Sequence, residues 1–481
     1  MSSNFNPYPA RSGTNSQSGP WGAAPVQGGY YAPPASSEFL TGNNGVGYSA
    51  TAFAAGTGLA LDGTRPPSNI DEISQKEPRW HAPRGNKIAL HISVGIIVCA
   101  GLAGFVYLLP TLNQAGATRT ATFAVMALMP VVVISAIVAW IDRWEREPVG
   151  IYVAAFAWGA GIATALTIVF SNTGTYFNWL YRPGDTAQSF DERAAVFGAP
   201  LMEEACKGLG VVFMVLIFHK HVNGAVDGLV YGMLVGLGFA FTENILYFTS
   251  AYTEALNSGA STSEAFGYVE EVFQIRAILN PFVHPIATGF TGLSLGIGTT
   301  MRFRPFVIPV TLVGYAIAVL LHGLHNYSAV LNMSDGERLV YQIPIYAATL
   351  TVILIARSSE RRHVLAALRE YESAGWFTPN ELSMIQTLSN RRAATEWAAV
   401  AVGRSGGNPA QGRDAMKLFQ KEMIQLGYAR SGQLRRGTAN RLENRVEEEN
   451  RLSLLSDLRL VFTGQTRQAA AGAYIGTFGY A

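Results

Sequence analysis

Apolar stretches of about twenty residues recur eight times between residues 88 and 357, each long enough to cross a hydrocarbon core of about 30 Å as a helix. They run over 88–110, 121–141, 149–171, 195–218, 225–250, 278–301, 305–330 and 338–357. No water-soluble fold tolerates that repetition. The spacing predicts an all-α, polytopic membrane helix bundle with about eight transmembrane helices. Composition agrees: 49% of the 481 residues are hydrophobic and only 14% are charged. Lys and Arg in the short loops set the orientation. Eleven of them fall on one side (Arg79, Arg84, Lys87, Arg143, Arg146, Lys220, Arg302, Arg304, Arg357, Arg361 and Arg362) against five on the other (Arg119, Arg182, Arg193, Arg276 and Arg338). A multi-pass protein of the cell membrane with both termini cytoplasmic is expected, with 251–277 as an acidic outer loop.

Residues 1–85 are rich in Gly, Pro, Ser, Ala and Asn and lack apolar runs, so they are expected to be disordered. No cleavable signal is read at the start of the chain. Residues 86–357 form the eight-span domain. Residues 358–481 carry 17 Lys/Arg against 12 Asp/Glu and read as a basic, helical cytoplasmic tail, with amphipathic pieces at His363–Tyr371 and Arg441–Leu460 around a Gly/Pro loop at Ser405–Gly412. The tail holds no catalytic signature and reads as a solvated or packing appendage, with anionic lipid as the alternative contact. A formal charge of +2 over the whole chain averages unlike regions and gives no reason to expect a nucleic-acid partner. Cys99 and Cys206 both lie in apolar runs, so sulfur chemistry is excluded.

An ionisable side chain in mid-span costs about 2.5–3.5 kcal/mol on insertion scales, so each one asks for a reason. The fourth span carries Glu203, Glu204 and Lys207 in APLMEEACKG; the fifth carries Phe239 and Glu243 in GFAFTENILY; the sixth carries His284 in NPFVHPIATG; the seventh carries His322, His325 and Asn326 in LHGLHNYS. Counted from the outer ends of their spans, Glu203, Glu243 and His322 lie at similar depths, roughly 10–12 Å at helical rise. Pairs four residues apart, Glu203 with Lys207 and His322 with Asn326, share a helix face. Adjacent carboxylates and imidazoles at one level are the parts for activating water: a buried carboxylate takes a proton from water and returns it to an amide leaving group. Glu243, His284 and His322 also make a two-histidine, one-carboxylate set of the kind that holds Zn²⁺ or another divalent metal with an open water position. The HExxH helix of soluble zincins is absent. Asp227, near a span end, and His219 and His221, in a basic turn, are read as solvated.

The order EExxK (Glu203, Glu204, Lys207), FxxxE (Phe239, Glu243), a lone histidine (His284) and HxxxN (His322, Asn326) on four successive spans resembles the PrsW family of intramembrane proteases, a branch of the superfamily that includes the CAAX prenyl proteases. The resemblance covers about residues 90–357. It implies a metal-dependent, glutamate-activated peptidase acting within the bilayer. Glu203 and Glu204 would then be the catalytic pair and His322 essential, with Asn326 beside it and Lys207, Phe239 and His325 in support. Glu243 stands where CAAX proteases carry histidine. The substrate implied is a membrane-anchored protein, for some PrsW-type proteases an anti-sigma-factor-like regulator. Two other classes use buried carboxylates and histidines: a proton-coupled transporter, and a non-catalytic scaffold for membrane segments. The chain has no second EE-type segment to make the paired half-repeats common in transporters.

Overall fold

Eight of the helices follow from the apolar runs. The computed structural model describes residues 84–172, 177–438 and 442–463, and among them every regular element is helical. The expectation for residues 1–85 falls, up to residue 83, outside the described residues. In chain order the helices are α1 (Arg84–Leu112), α2 (Ala117–Ile141), α3 (Val149–Asn172), α4 (Ala187–Arg193), α5 (Ala199–Ile217), α6 (Ala225–Asn257) and α7 (Thr262–Phe273). Then come α8 (Val283–Thr299), α9 (Val307–Val330), α10 (Asp335–Ser373), α11 (Pro379–Gln386), α12 (Leu388–Arg404), α13 (Pro409–Arg436) and α14 (Leu442–Thr463). Six are long and apolar enough to span a bilayer: α1, α2, α3, α6, α9 and α10. The remaining two expected spans correspond to α5, which carries Glu203, Glu204 and Lys207, and α8, which has 17 residues.

Burial ranks these helices. Within its most apolar window α6 is 89% buried, against 17% for α1 and for α10, so α6 is the axis of the bundle and the others shield it from lipid. Close packing on that axis needs missing side chains. A Cβ on Gly228 would overlap the Gly292 carbonyl, one on Gly232 the Thr288 carbonyl, and one on Gly236 the His284 carbonyl. Glycine every fourth residue on α6 therefore lets the backbone of α8 lie directly against it. That contact sets the Gly236 and His284 backbones side by side, and the Glu243 side chain, two turns on, reaches the His284 ring.

The segment expected as an acidic loop at 251–277 is a correction. Helix α6 continues to Asn257, and α7 starts with a capping box in which the Ser261 hydroxyl accepts from the Glu264 N–H. A π-helical turn at Gln274–Leu279 then leads toward α8 and turns Arg276 inward. Arg276, expected among the outer-loop cations, points into the polar cluster described below.

The tail is a packed helical unit. Leu368, Trp397, Phe419, Met423, Leu454 and Phe462 share one buried core, and the ion pair of Arg459 with Glu381 lies within it at 2.7 Å. Helix α10 runs unbroken through the expected boundary at 357. Its 39 residues span about 58 Å, roughly twice the hydrocarbon thickness, so it leaves the bilayer and becomes part of the tail. Trp144, in the α2–α3 connection, plugs the two parts together: its indole N–H donates to the Ile385 carbonyl at 3.4 Å and Arg391 donates to its own carbonyl at 2.9 Å.

A group of carboxylates lines this junction, which corrects two readings. Asp227 is buried and accepts the Asn223 N–H at 2.6 Å rather than facing solvent. His221 pairs with Glu147 at 3.0 Å. Burial, together with Glu147, Asp142 and Glu360 close by, pushes the Glu145 carboxyl up to about 8, with Lys421 pulling the other way. The folded protein thus keeps that proton where an unfolded chain, with an ordinary value of 4.5, has released it. The consequence has a definite sign: this group weakens the folded state progressively as pH rises from 4.5 to 8. Protection factors at the α10–α13 contact, with the base-catalysed intrinsic exchange rate divided out, are expected to fall over that range, and Glu145→Gln to flatten the dependence. A pH-independent wild type would remove the argument.

Candidate active site

Four helices meet at one polar cluster walled by apolar side chains. On α5, positions 203, 204 and 207 fall on the inward side of one turn, which buries Glu204 and Lys207 completely and Glu203 almost so. The Lys207 ammonium sits at the centre. Its Nζ lies 2.8 Å from Glu204 Oε1, 3.2 Å from Glu203 Oε2 and 3.0 Å from His284 Nδ1, and 3.8 Å above the Phe239 ring. Phe239 and Lys207 thus belong to the site through a cation–π contact that the FxxxE spacing alone did not reveal.

The two imidazoles are each held by a carboxylate. His284 Nε2 is 2.7 Å from Glu243 Oε2, and His322 Nδ1 is 3.0 Å from Glu204 Oε1. A carboxylate acceptor assigns the ring proton to the nitrogen facing it, so the network leaves the lone pairs on His284 Nδ1 and His322 Nε2. His322 Nε2 points toward Glu203, 3.8 Å from its Oε2, and the two rings meet edge to face with centroids 4.8 Å apart. Further groups brace the carboxylates. The Thr288 hydroxyl donates to Glu204 Oε2 at 2.9 Å, and the Arg276 guanidinium bonds Glu243 while donating to Asn244 Oδ1 at 3.0 Å.

The expected residues therefore divide. Glu203, Glu204, Lys207, Phe239, Glu243, His284 and His322 come together. Asn326 does not touch the carboxylates: its side-chain amide donates to the Ala195 carbonyl at 2.8 Å, bracing the π-helical turn at Ala194–Gly198 that precedes α5. His325 lies beside the cluster, lining a small pocket with Arg276, Asn244 and His284; its buried Nδ1 has no hydrogen-bond partner among the described residues. Arg276 and Thr288 were missed. Arg276 carried a signal, a single cation in the apolar run VFQIRAILNPF, but its partner on α6 is fixed only by the turn before α8.

One atom each from Glu203, His284 and His322 can serve as a ligand, and these atoms lie within 4.8 Å of one another; among the described residues this is the one such group. The metal set expected from sequence had Glu243 in place of Glu203. Glu243 is engaged by Arg276 and by the protonated nitrogen of His284, which leaves Glu203 facing the His322 lone pair and, with Lys207 donating to it, that of His284.

No curated protein and no solved structure matches the chain. Residues 147–355, which contain every side chain of the cluster, match the family model described as PrsW family intramembrane metalloprotease, a family of intramembrane peptidases.

Proposed function

We propose that the cluster hydrolyses a peptide bond of a membrane-anchored protein, with Glu203 as the residue that activates water. The carrying observation is the asymmetry of the two adjacent glutamates. Glu204 is fully buried and committed to Lys207, His322 and Thr288. Glu203 contacts its neighbours through Oε2, and its Oε1 carries no hydrogen bond among the described residues. A carboxylate with one committed and one free oxygen is suited to be positioned by the first while accepting a proton on the second.

Two imidazoles and a carboxylate match the donors of catalytic zinc sites, and each imidazole carries the carboxylate partner that fixes a ligand's tautomer. Glu203, His284 and His322 would hold a divalent metal, with Glu204 and Glu243 orienting the rings. Such an ion, when bound, supplies Lewis acidity for acidifying water and polarising a peptide carbonyl. The protein's own groups do the rest. Glu203 takes a proton from water as its oxygen bonds the peptide carbon, then passes that proton to the amide nitrogen as the C–N bond breaks. Lys207 balances the anionic charge of the pair throughout, and apolar walls keep bulk water out. Asn326 acts by positioning α5 rather than at the reacting atoms.

This reading places α5 and α8 across the bilayer with the other six helices, making eight spans and both termini cytoplasmic. At helical rise the two reach about 28 and 26 Å, close to the hydrocarbon thickness. Residues 86–357 are then the protease domain and 358–481 a cytoplasmic attachment. An anti-sigma-factor-like regulator is the substrate type that fits the family, giving the cleavage a signalling role. The test is a single-span tethered reporter reconstituted with the purified chain. Cleavage is expected, lost on treatment with a metal chelator and restored by Zn²⁺ or another divalent ion. Chelator-resistant cleavage would remove the metal from the mechanism, and proton flux without cleavage would favour a transporter.

A further inference from the structure

On the tail side of the bundle, two short arginine pairs far apart in sequence are folded against each other. Arg302 and Arg304 lie in the α8–α9 connection; Arg435 and Arg436 form the last turn of α13, which ends at Gly437 in a left-handed conformation with φ +68°. The Arg302 guanidinium reaches that end, its Nε lying 3.6 Å from where a Cβ on Gly437 would stand. Arg436 is held below its ordinary value, first by burial and then by Arg304 and Arg435 beside it. None of the four side chains makes an ion pair or hydrogen bond among the described residues, and Arg435 Nε is a buried donor without a partner. The carboxylate acting on Arg435 is Glu360, whose Oε1 already accepts the Val226 N–H at 2.8 Å.

Like charges gathered from two segments repel, so the arrangement needs an anion. Offsetting the helix dipole accounts for Arg435 and Arg436 at the end of α13, but not for Arg302 and Arg304. The surroundings decide which anion. Phe303 and Phe306, 60% and 55% exposed, neighbour Arg302 and Arg304 in the chain, and Ile308, at the start of α9, is 67% exposed. Arg304 opens the apolar span Arg304–Val330, so the arginines stand at its end, with aromatic rings beside them of the kind that anchor membrane proteins at the boundary. That is the level of lipid phosphates.

We propose that Arg302, Arg304, Arg435 and Arg436 form a binding site for the headgroup phosphate of an anionic phospholipid, which clamps the end of α13 to the α8–α9 connection. The site ties the tail to the bilayer at a second point, separate from the Trp144 plug.

The experiment uses the full chain in nanodiscs of phosphatidylcholine, with and without phosphatidylglycerol, and follows hydrogen exchange of residues 430–438. Phosphatidylglycerol is expected to protect this turn, and high salt to reverse the protection. The double variants R302Q/R304Q and R435Q/R436Q should each weaken the response to phosphatidylglycerol by about 30-fold in the lipid fraction required. Exchange in the tail core around Phe419 serves as the control for folding. Equal protection in both disc types, or an undiminished response in both double variants, would overturn the site. Protection by inorganic phosphate in pure phosphatidylcholine discs would show a soluble anion in place of the lipid and would equally overturn it.

Discussion

Glu203→Gln is expected to reduce cleavage of a tethered substrate by about a thousandfold while leaving the protein folded and inserted. The amide keeps the size of the carboxylate and can still accept from Lys207 through its oxygen, so the bundle has little reason to shift. What it loses is the free acceptor that takes the proton from water. Glu204→Gln separates the two roles. Glu204 binds Lys207, His322 and Thr288, so its replacement should lower thermal stability as well as activity. His322→Ala should also abolish cleavage, because it removes both a ligand and the group that faces Glu203. Rates near wild type for Glu203→Gln would mean that another group activates water, and the assignment would fail.

Lys207→Met should cost roughly 3–5 kcal/mol in the metal-free protein, the range for leaving buried charge without its partner. Lys207 is completely buried, and its ammonium is the central cation that touches both glutamates. Methionine fills the channel beside Phe239 but leaves the glutamates uncompensated. A divalent ion held by Glu203, His284 and His322 would return positive charge to the same donors, so added Zn²⁺ should stabilise the variant more than the wild type. Thermal unfolding in detergent, with chelator and with Zn²⁺, reads both effects without any assay of cleavage. An unchanged midpoint in chelator would show that the glutamates do not depend on Lys207, and equal Zn²⁺ responses would separate the lysine from the donor set.

Much of the membrane domain was legible because hydrophobic length is a local property. The eight apolar windows each correspond to a helix, and the rarity of charge within them singled out Glu203, Glu204, Lys207, Glu243, His284 and His322 before any contact was known. Spacing of four on α5 placed Glu203 beside Lys207 for the same reason, since helix faces are fixed by 3.6 residues per turn. The tail was read less completely. Helix α12 has no strong apolar period, and its place depends on a core shared with α10, α13 and α14.

The sequence by itself determined that this chain forms membrane helices and which polar residues must be sheltered inside them, because transfer of each group into hydrocarbon is set by that group alone. Tertiary structure decided how those residues divide the work. Whether Glu203 or Glu243 joins the unprotonated sides of the two imidazoles depends on where Arg276 arrives and on how closely the glycines of α6 admit α8. Asn326 likewise shares a face with His322 yet bonds the backbone at Ala195. Hydrogen bonds between helices depend on ångström-scale approach and on competing partners, and neither is encoded in the spacing along any one helix.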